Sequence, residues 1–117
     1  MGIGIDVVEI SRFEAALRRR PRLERRCFSP VEREYCSRQR RPGQHFAVRF
    51  AAKEAVAKAL RSPLRWREVE VVGAGGPPRV KLHGKMLAAA AGRTMLISMS
   101  HSGDIAVAAA VAQEAQQ

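Results

Sequence analysis

The segment from His45 to Leu60 constrains this chain most, because it predicts one long helix with an unusual set of charges. Its large apolar residues recur at helical spacing and are separated by alanines. They are Phe46, Phe50, Val56 and Leu60. Ser62-Pro63 follows and ends the predicted helix. The rest of the fold must pack around this element.

Four charged residues lie on the predicted helix: Arg49, Lys53, Glu54 and Lys58. Helical residues three or four positions apart are neighbours, so Arg49 lies one turn from Lys53 and Glu54 one turn from Lys58. A carboxylate among three cations suits a divalent cation bound together with a polyphosphate. Glu-Lys pairs at this spacing are also common on solvent-facing helices. Other segments must therefore decide between the two interpretations.

Size and composition indicate one globular domain. The chain has 117 residues, of which 46% are apolar and 27% charged. It contains no stretch of about 18 uncharged apolar residues that would span a membrane. The two cysteines, Cys27 and Cys36, have no second Cys or His nearby at metal-binding spacing. We expect a cytoplasmic protein with reduced cysteines and no membrane partner.

The charge balance predicts an anionic partner. Twenty-one Lys and Arg against eleven Asp and Glu give a formal net charge of +10, which attracts polyanions or acidic proteins. Aromatic residues make up 5% of the chain and are not interleaved with the basic residues. A base-stacking surface needs such interleaving, so nucleic acid is an unlikely partner.

The pattern predicts mixed helices and strands. Two helix starts carry the signature of a capping box, Ser11 with Glu14 and Ser29 with Glu32. We expect a loop over 38–44 and, despite its alanines, a final strand rather than a helix. The predicted strands lie at about 2–9, 67–73, 78–83, 94–100 and 104–112. The predicted helices lie at about 12–19, 30–38, 45–60 and 84–91.

Three motifs in order resemble the holo-acyl-carrier-protein synthase family. They are Gly-Ile-Gly-Ile-Asp at 2–6, Arg-Phe-Ala-Ala-Lys-Glu-Ala at 49–55, and Ser-Met-Ser-His at 98–101. The segments 66–71 and 76–80 are similar to the family's W-x-x-I-E-V strand and G-x-P-x-V turn. Two residues depart from the pattern: Arg61 stands where the family usually has Gly, and Pro77 where it often has Lys or Arg.

The resemblance implies an α+β fold, a small antiparallel sheet packed with helices, assembled as a homotrimer with the nucleotide held between subunits. Residues 1–112 would form the single domain and 113–117 a disordered tail. The implied activity transfers 4′-phosphopantetheine from coenzyme A to a serine of an apo acyl carrier protein, releasing 3′,5′-ADP, in fatty-acid or polyketide biosynthesis.

The resemblance also implies roles for individual residues. Asp6 and Glu54 would bind magnesium, Lys58 would contact the phosphate, and Glu54 is the candidate base. Further contacts to coenzyme A would come from Arg49, Lys53, Pro78, Ser98, Ser100 and His101. The acidic carrier protein would dock on Arg12, Arg18 and Arg19.

An alternative of a different class is a non-catalytic basic module. Its arginine-rich helix would bind nucleic acid or an acidic protein. Stabilisation by coenzyme A with magnesium would distinguish the enzyme from this module.

Overall fold

The fold is described from a computed structural model that covers residues 1–73 and 76–115. The helices are α1 (Ile10–Arg19), α2 (Leu23–Cys27), α3 (Pro30–Ser37), α4 (Pro42–Leu60) and α5 (Gly84–Ala90), with a 3₁₀ turn at Trp66–Glu68. The strands are β1 (Gly2–Glu9), β2 (Val69–Val72), β3 (Arg79–Leu82), β4 (Thr94–Ser102) and β5 (Ile105–Gln113). In the described part of the chain, no helix has both the length and the apolar character needed to cross a membrane.

The strands form two antiparallel sheets. β5 lies in the centre of the larger sheet, between β1 and β4, and β2 pairs with β3 in a separate hairpin. Helix α4 packs across the larger sheet, against β1 and β5. This arrangement confirms the predicted α+β class with a small antiparallel sheet.

Alanines allow α4 and β5 to approach closely. Every second residue of β5 is an alanine buried beneath α4: Ala106, Ala108, Ala110 and Ala112. Alanine favours a helix by intrinsic propensity, but here pairing with strands on both sides and burial of one face decide the conformation. The prediction of a final strand is thus confirmed.

Glycines bring β1 against the same helix. A Cβ atom at Gly2 would collide with the Ala59 carbonyl, and one at Gly4 with the Ala55 carbonyl. Two residues forward along β1 therefore correspond to one turn backward along α4. Asp6, the next residue on this face of β1, lies further back along α4, close enough to Glu54 to raise its pKa.

The first predicted capping box is wrong. The backbone N–H and the hydroxyl of Ser11 donate to the Asp104 carboxylate, at 2.9 and 2.5 Å. Glu14 instead binds Arg41 at 2.9 Å. The cap of α1 therefore comes from the turn between β4 and β5, a tertiary contact that local sequence does not encode. The second box is confirmed, since Ser29 and Glu32 cap α3 reciprocally.

Several boundaries differ from the prediction. α4 begins at Pro42, within the expected 38–44 loop. Proline is tolerated in the first helical turn because the N–H groups there have no partner within the helix. The short helix α2 and the 3₁₀ turn were not predicted. Gln113, the first residue of the predicted tail, ends β5, and the N-terminal amine donates to the Glu114 carboxylate at 2.8 Å. Residues 116 and 117 of that tail, and Gly75 of the glycine-proline turn, lie outside the described residues.

Arg61 ends α4 in a left-handed conformation, with φ 52° and ψ 45°. A residue with a Cβ is strained there by about 1–2 kcal/mol. Arg61→Gly should therefore stabilise the protein by about 0.5–1 kcal/mol after the greater freedom of glycine in the unfolded chain is subtracted. Chemical denaturation measures the change. Arg61→Ala removes the same side chain but keeps the strain, so equal stability of the two variants would contradict the prediction.

Candidate active site

One cluster of charges forms where β1 crosses α4. The Lys58 ammonium donates to Asp6 Oδ1 at 3.1 Å and to the Ile5 carbonyl at 3.0 Å. Glu54 lies one helical turn before Lys58 on α4. The structure therefore brings together the predicted residues Asp6, Glu54 and Lys58, which we call the carboxylate cluster.

Glu54 has an unusual environment within this cluster. Burial and the neighbouring Asp6 carboxylate raise the pKa of Glu54, and Lys58 opposes this only in part. Among the described residues, no group donates a hydrogen bond or forms an ion pair to Glu54. Asp6 and Glu54 line one surface opening together with Arg12 and Phe50. The site thus presents two adjacent carboxylates, and the described residues supply a hydrogen-bond donor to Asp6 but not to Glu54.

A second group of predicted residues lines a cavity of about 360 Å³, which we call the Arg49 cavity. It lies between α3, α4, β4 and the end of the β2–β3 connection. Its polar side chains are Tyr35, Gln44, His45, Arg49, Ser100 and His101, and Pro78 forms part of its wall. Four residues predicted to contact coenzyme A therefore share one cavity: Arg49, Pro78, Ser100 and His101.

Arg49 is held in place inside this cavity. It is only 8% exposed, its guanidinium lies 4.3 Å from the centre of the Tyr35 ring, and one terminal nitrogen donates to the His45 carbonyl at 3.4 Å. Its Nε is buried with no hydrogen-bond partner among the described residues. A buried cation with unused hydrogen-bonding capacity is an anion-binding group. His45 and Tyr35 were missed as site residues because neither belongs to a recognisable motif.

The prediction that Lys53 contacts the ligand is not supported by its position. Lys53 and Glu32 are both fully buried and form an ion pair at 2.8 Å. The Lys53 ammonium also donates to the carbonyls of Trp66 and Val69, at 2.8 and 2.5 Å. With three acceptors and no exposure, Lys53 joins α3, α4 and β2 and is not available to a phosphate. Lys53 is therefore a structural residue of the core.

The remaining predicted residues lie on the surface. Ser98 is exposed on the same face of β4 as Ser100, two residues away, and does not line the Arg49 cavity. Arg18 and Arg19 are exposed in the last turn of α1, where positive charge suits the helix dipole. Arg12 opens onto the carboxylates at the start of the same helix. One helix therefore leads from the carboxylate cluster to a basic surface.

The two clusters lie on different sides of one chain. Arg49 and Glu54 are five residues apart on α4, which corresponds to a rotation of about 140° around the helix axis. Arg49 faces α3 and β4, whereas Glu54 faces β1 and α1. The two clusters therefore open on different sides of α4.

Comparisons with known proteins agree with the fold and the motifs. A sequence model of the 4′-phosphopantetheinyl transferase superfamily matches residues 2–110. A holo-[acyl-carrier-protein] synthase of Beutenbergia cavernae is 47% identical over 119 residues, covering 97% of both chains. That of Geobacter sulfurreducens is 45% identical, covering 94% of both. The chain belongs to the 4′-phosphopantetheinyl transferase superfamily.

Solved structures support the same assignment. The Helicobacter pylori holo-[acyl-carrier-protein] synthase, crystallised in complex with coenzyme A, superposes with a TM-score of 0.83 at 27% identity. The superposition covers 95% of this chain and 99% of that one. The family resemblance seen in the three sequence motifs is thereby confirmed.

Proposed function

We propose that this protein transfers 4′-phosphopantetheine from coenzyme A to a serine of an apo acyl carrier protein and releases 3′,5′-ADP. The observation that carries the proposal is the union of Asp6, Glu54 and Lys58 at the crossing of β1 and α4. Membership of the superfamily and the named function of the relatives point to the same reaction.

The donor set fits magnesium. Mg²⁺ is usually bound through one or two carboxylates together with substrate phosphates and water. Asp6 and Glu54 supply two carboxylates, close enough for Asp6 to raise the pKa of Glu54. The described residues contain no larger cluster of His, Cys, Asp and Glu that would hold a metal by itself. When bound there, the ion would neutralise charge on the pyrophosphate.

The residues of the chain account for the remaining chemistry. The serine hydroxyl of the carrier attacks the phosphorus that bears the pantetheine, and the bond to the bridging oxygen breaks, so that 3′,5′-ADP leaves. Glu54, which accepts no hydrogen bond from the described residues, would accept the serine proton. Lys58 stabilises the charge that develops on the phosphate oxygens.

A homotrimer would explain the separation of the two clusters. The outer face of β1 is strongly apolar, with Ile3, Ile5 and Val7 exposed by 76, 62 and 58%. Exposed apolar residues in such a row are typical of a protein interface. We propose that this face packs in the trimer and that the Arg49 cavity of one subunit supplements the carboxylate cluster of the next. Light scattering should give three times the mass of the chain.

The three arginines Arg12, Arg18 and Arg19, here called the docking arginines, suit an acidic carrier. Replacing all three by Glu should weaken carrier binding by roughly tenfold or more, and it should change the affinity for coenzyme A much less. Added salt should weaken the wild-type complex in the same way. Calorimetry measures both affinities.

The control for this experiment reverses three exposed arginines outside α1: Arg40, Arg65 and Arg67. It changes the net charge equally, so it separates local docking from general attraction. Equal losses of carrier affinity in both triple variants would show that α1 is not the docking surface.

Ligand-induced stabilisation tests the proposed function. A ligand at a hundredfold excess over its Kd stabilises the folded state by about 2.7 kcal/mol. Coenzyme A with magnesium should therefore raise the melting temperature, whereas a short duplex DNA should not. Stabilisation by the duplex and not by coenzyme A would favour the basic binding module instead.

A further inference from the structure

The Arg49 cavity contains one titratable residue to which neither the motifs nor the proposed mechanism gives a role. His45 lies in the first half of α4 and lines the cavity beside Arg49 and His101. None of the described lining residues is a carboxylate. Three groups that can carry positive charge thus face one space without a compensating anion, which predicts an anionic ligand.

The surroundings of His45 fix its position relative to Arg49. The Arg49 guanidinium donates to the His45 carbonyl at 3.4 Å, and the His45 ring lies 6.1 Å from the Tyr35 ring in a T-shaped arrangement. The charged and titratable groups facing His45 are Tyr35 of α3, Arg49 of α4 and His101 of β4. The described residues of the β2–β3 connection in the cavity wall, Gly73, Gly76 and Pro78, carry no charge.

These neighbours oppose protonation of His45 as long as no anion is bound. Burial, together with the positive charges of Arg49 and His101, lowers the pKa of His45 from the ordinary value of 6.5. A phosphate dianion in the cavity would reverse the balance, because an opposite charge within a few ångströms favours the charged imidazolium. The neutral ring would then take up a proton from solvent as the anion enters.

We propose that His45 is a specificity-determining residue that binds the 3′-phosphate of coenzyme A as an imidazolium and so selects coenzyme A over 3′-dephospho-coenzyme A. This proposal rests on the proposed function, since it assigns the Arg49 cavity to the nucleotide end of that substrate. The 3′-phosphate is a monoester dianion, whereas the pyrophosphate belongs with the carboxylate cluster. The described lining of the cavity has three basic side chains and no carboxylate, which matches the monoester.

The sign of the pH dependence follows from the proton uptake. His45 has a lowered pKa in the free protein and a raised pKa in the complex, so binding consumes a proton between the two values. The contribution of His45 to selectivity for the 3′-phosphate must therefore rise as the pH falls into that window, and this contribution is lost at higher pH, where Arg49 keeps its charge. The ligand's own second ionisation lies near pH 6, so the measurement belongs above about pH 6.5.

The test measures the affinities of coenzyme A and 3′-dephospho-coenzyme A by calorimetry at about pH 6.5 and about pH 8. In the wild type, the ratio of the two affinities should be about fivefold to tenfold larger at the lower pH, as a charge-assisted hydrogen bond would give. His45→Gln should lose this gain. His83→Gln is the matched control, because His83 pairs with Glu70 outside the cavity.

A second readout follows the proton itself in the wild-type protein. The chain has 3 histidines, so their ring resonances can be assigned with single substitutions. Titration by NMR should show that coenzyme A raises the pKa of His45 and that the dephospho form does not. An unchanged pKa, or an equal pH dependence in His45→Gln and the wild type, would overturn the proposal while leaving the proposed function intact. Failure of both ligands to bind would instead overturn the proposed function.

Discussion

Glu54→Gln should reduce transfer by at least a hundredfold, roughly, while the protein remains folded. The substitution preserves volume but removes one of two carboxylates and the candidate base, and a general base alone contributes about 10²–10⁴ in rate. Stability should stay equal or increase. A carboxyl group whose pKa is raised by folding destabilises the protein when ionised, so its removal relieves burial cost and repulsion by Asp6.

The matched control for Glu54→Gln is Glu34→Gln. Glu34 is an exposed carboxylate on α3 that pairs with Arg38 and lies outside both clusters. Its removal changes the net charge equally and should leave transfer unchanged. Initial rates measured with coenzyme A, magnesium and an apo carrier compare the variants. Near-normal transfer by Glu54→Gln would show that the carboxylate cluster is not where the reaction occurs.

Lys53→Met should destabilise the protein by about 3–5 kcal/mol, because it breaks a buried ion pair by removing one partner. This is the largest loss of stability that we expect from removing one charged side chain. The substitution leaves the Glu32 carboxylate fully buried. That carboxylate would retain hydrogen bonds from the backbone of Ser29 and Val71, both at 2.8 Å, but lose its counter-ion. Denaturant unfolding at neutral pH measures the loss.

Two further variants separate the buried pair from charge in general. Arg38→Met breaks the exposed pair with Glu34 and should cost less than about 1 kcal/mol. Adding Glu32→Gln to Lys53→Met removes the uncompensated charge and should recover part of the stability. A loss in Lys53→Met no greater than that in Arg38→Met would contradict the description of Lys53 as a structural residue.

The sequence predicted the framework of the site because its signals were local or motif-based. The glycine-rich start of β1 and the helical run of α4 were correctly predicted, and so Asp6, Glu54 and Lys58 were expected together. The placement of Arg49 and Glu54 on different sides of α4 also follows from the sequence, because residues five positions apart on a helix point in different directions.

Other features depend on contacts between distant segments. Lys53 has the same spacing signal as a phosphate-binding lysine, and only the tertiary position of Glu32 shows that it is buried. Asp104 replaces the expected local cap of α1 for the same reason. His45 carried no signal, because a single histidine at the start of a helix has no preferred role until its neighbours are known.

The most direct test of the proposed transfer is the intact mass of an apo acyl carrier protein after incubation with this protein, coenzyme A and magnesium. The carrier should gain the mass of one phosphopantetheine group, with one equivalent of 3′,5′-ADP released. A carrier whose acceptor serine is replaced by alanine should gain nothing. An unchanged mass across a panel of apo carriers, under conditions where coenzyme A binds, would contradict the proposed transferase function.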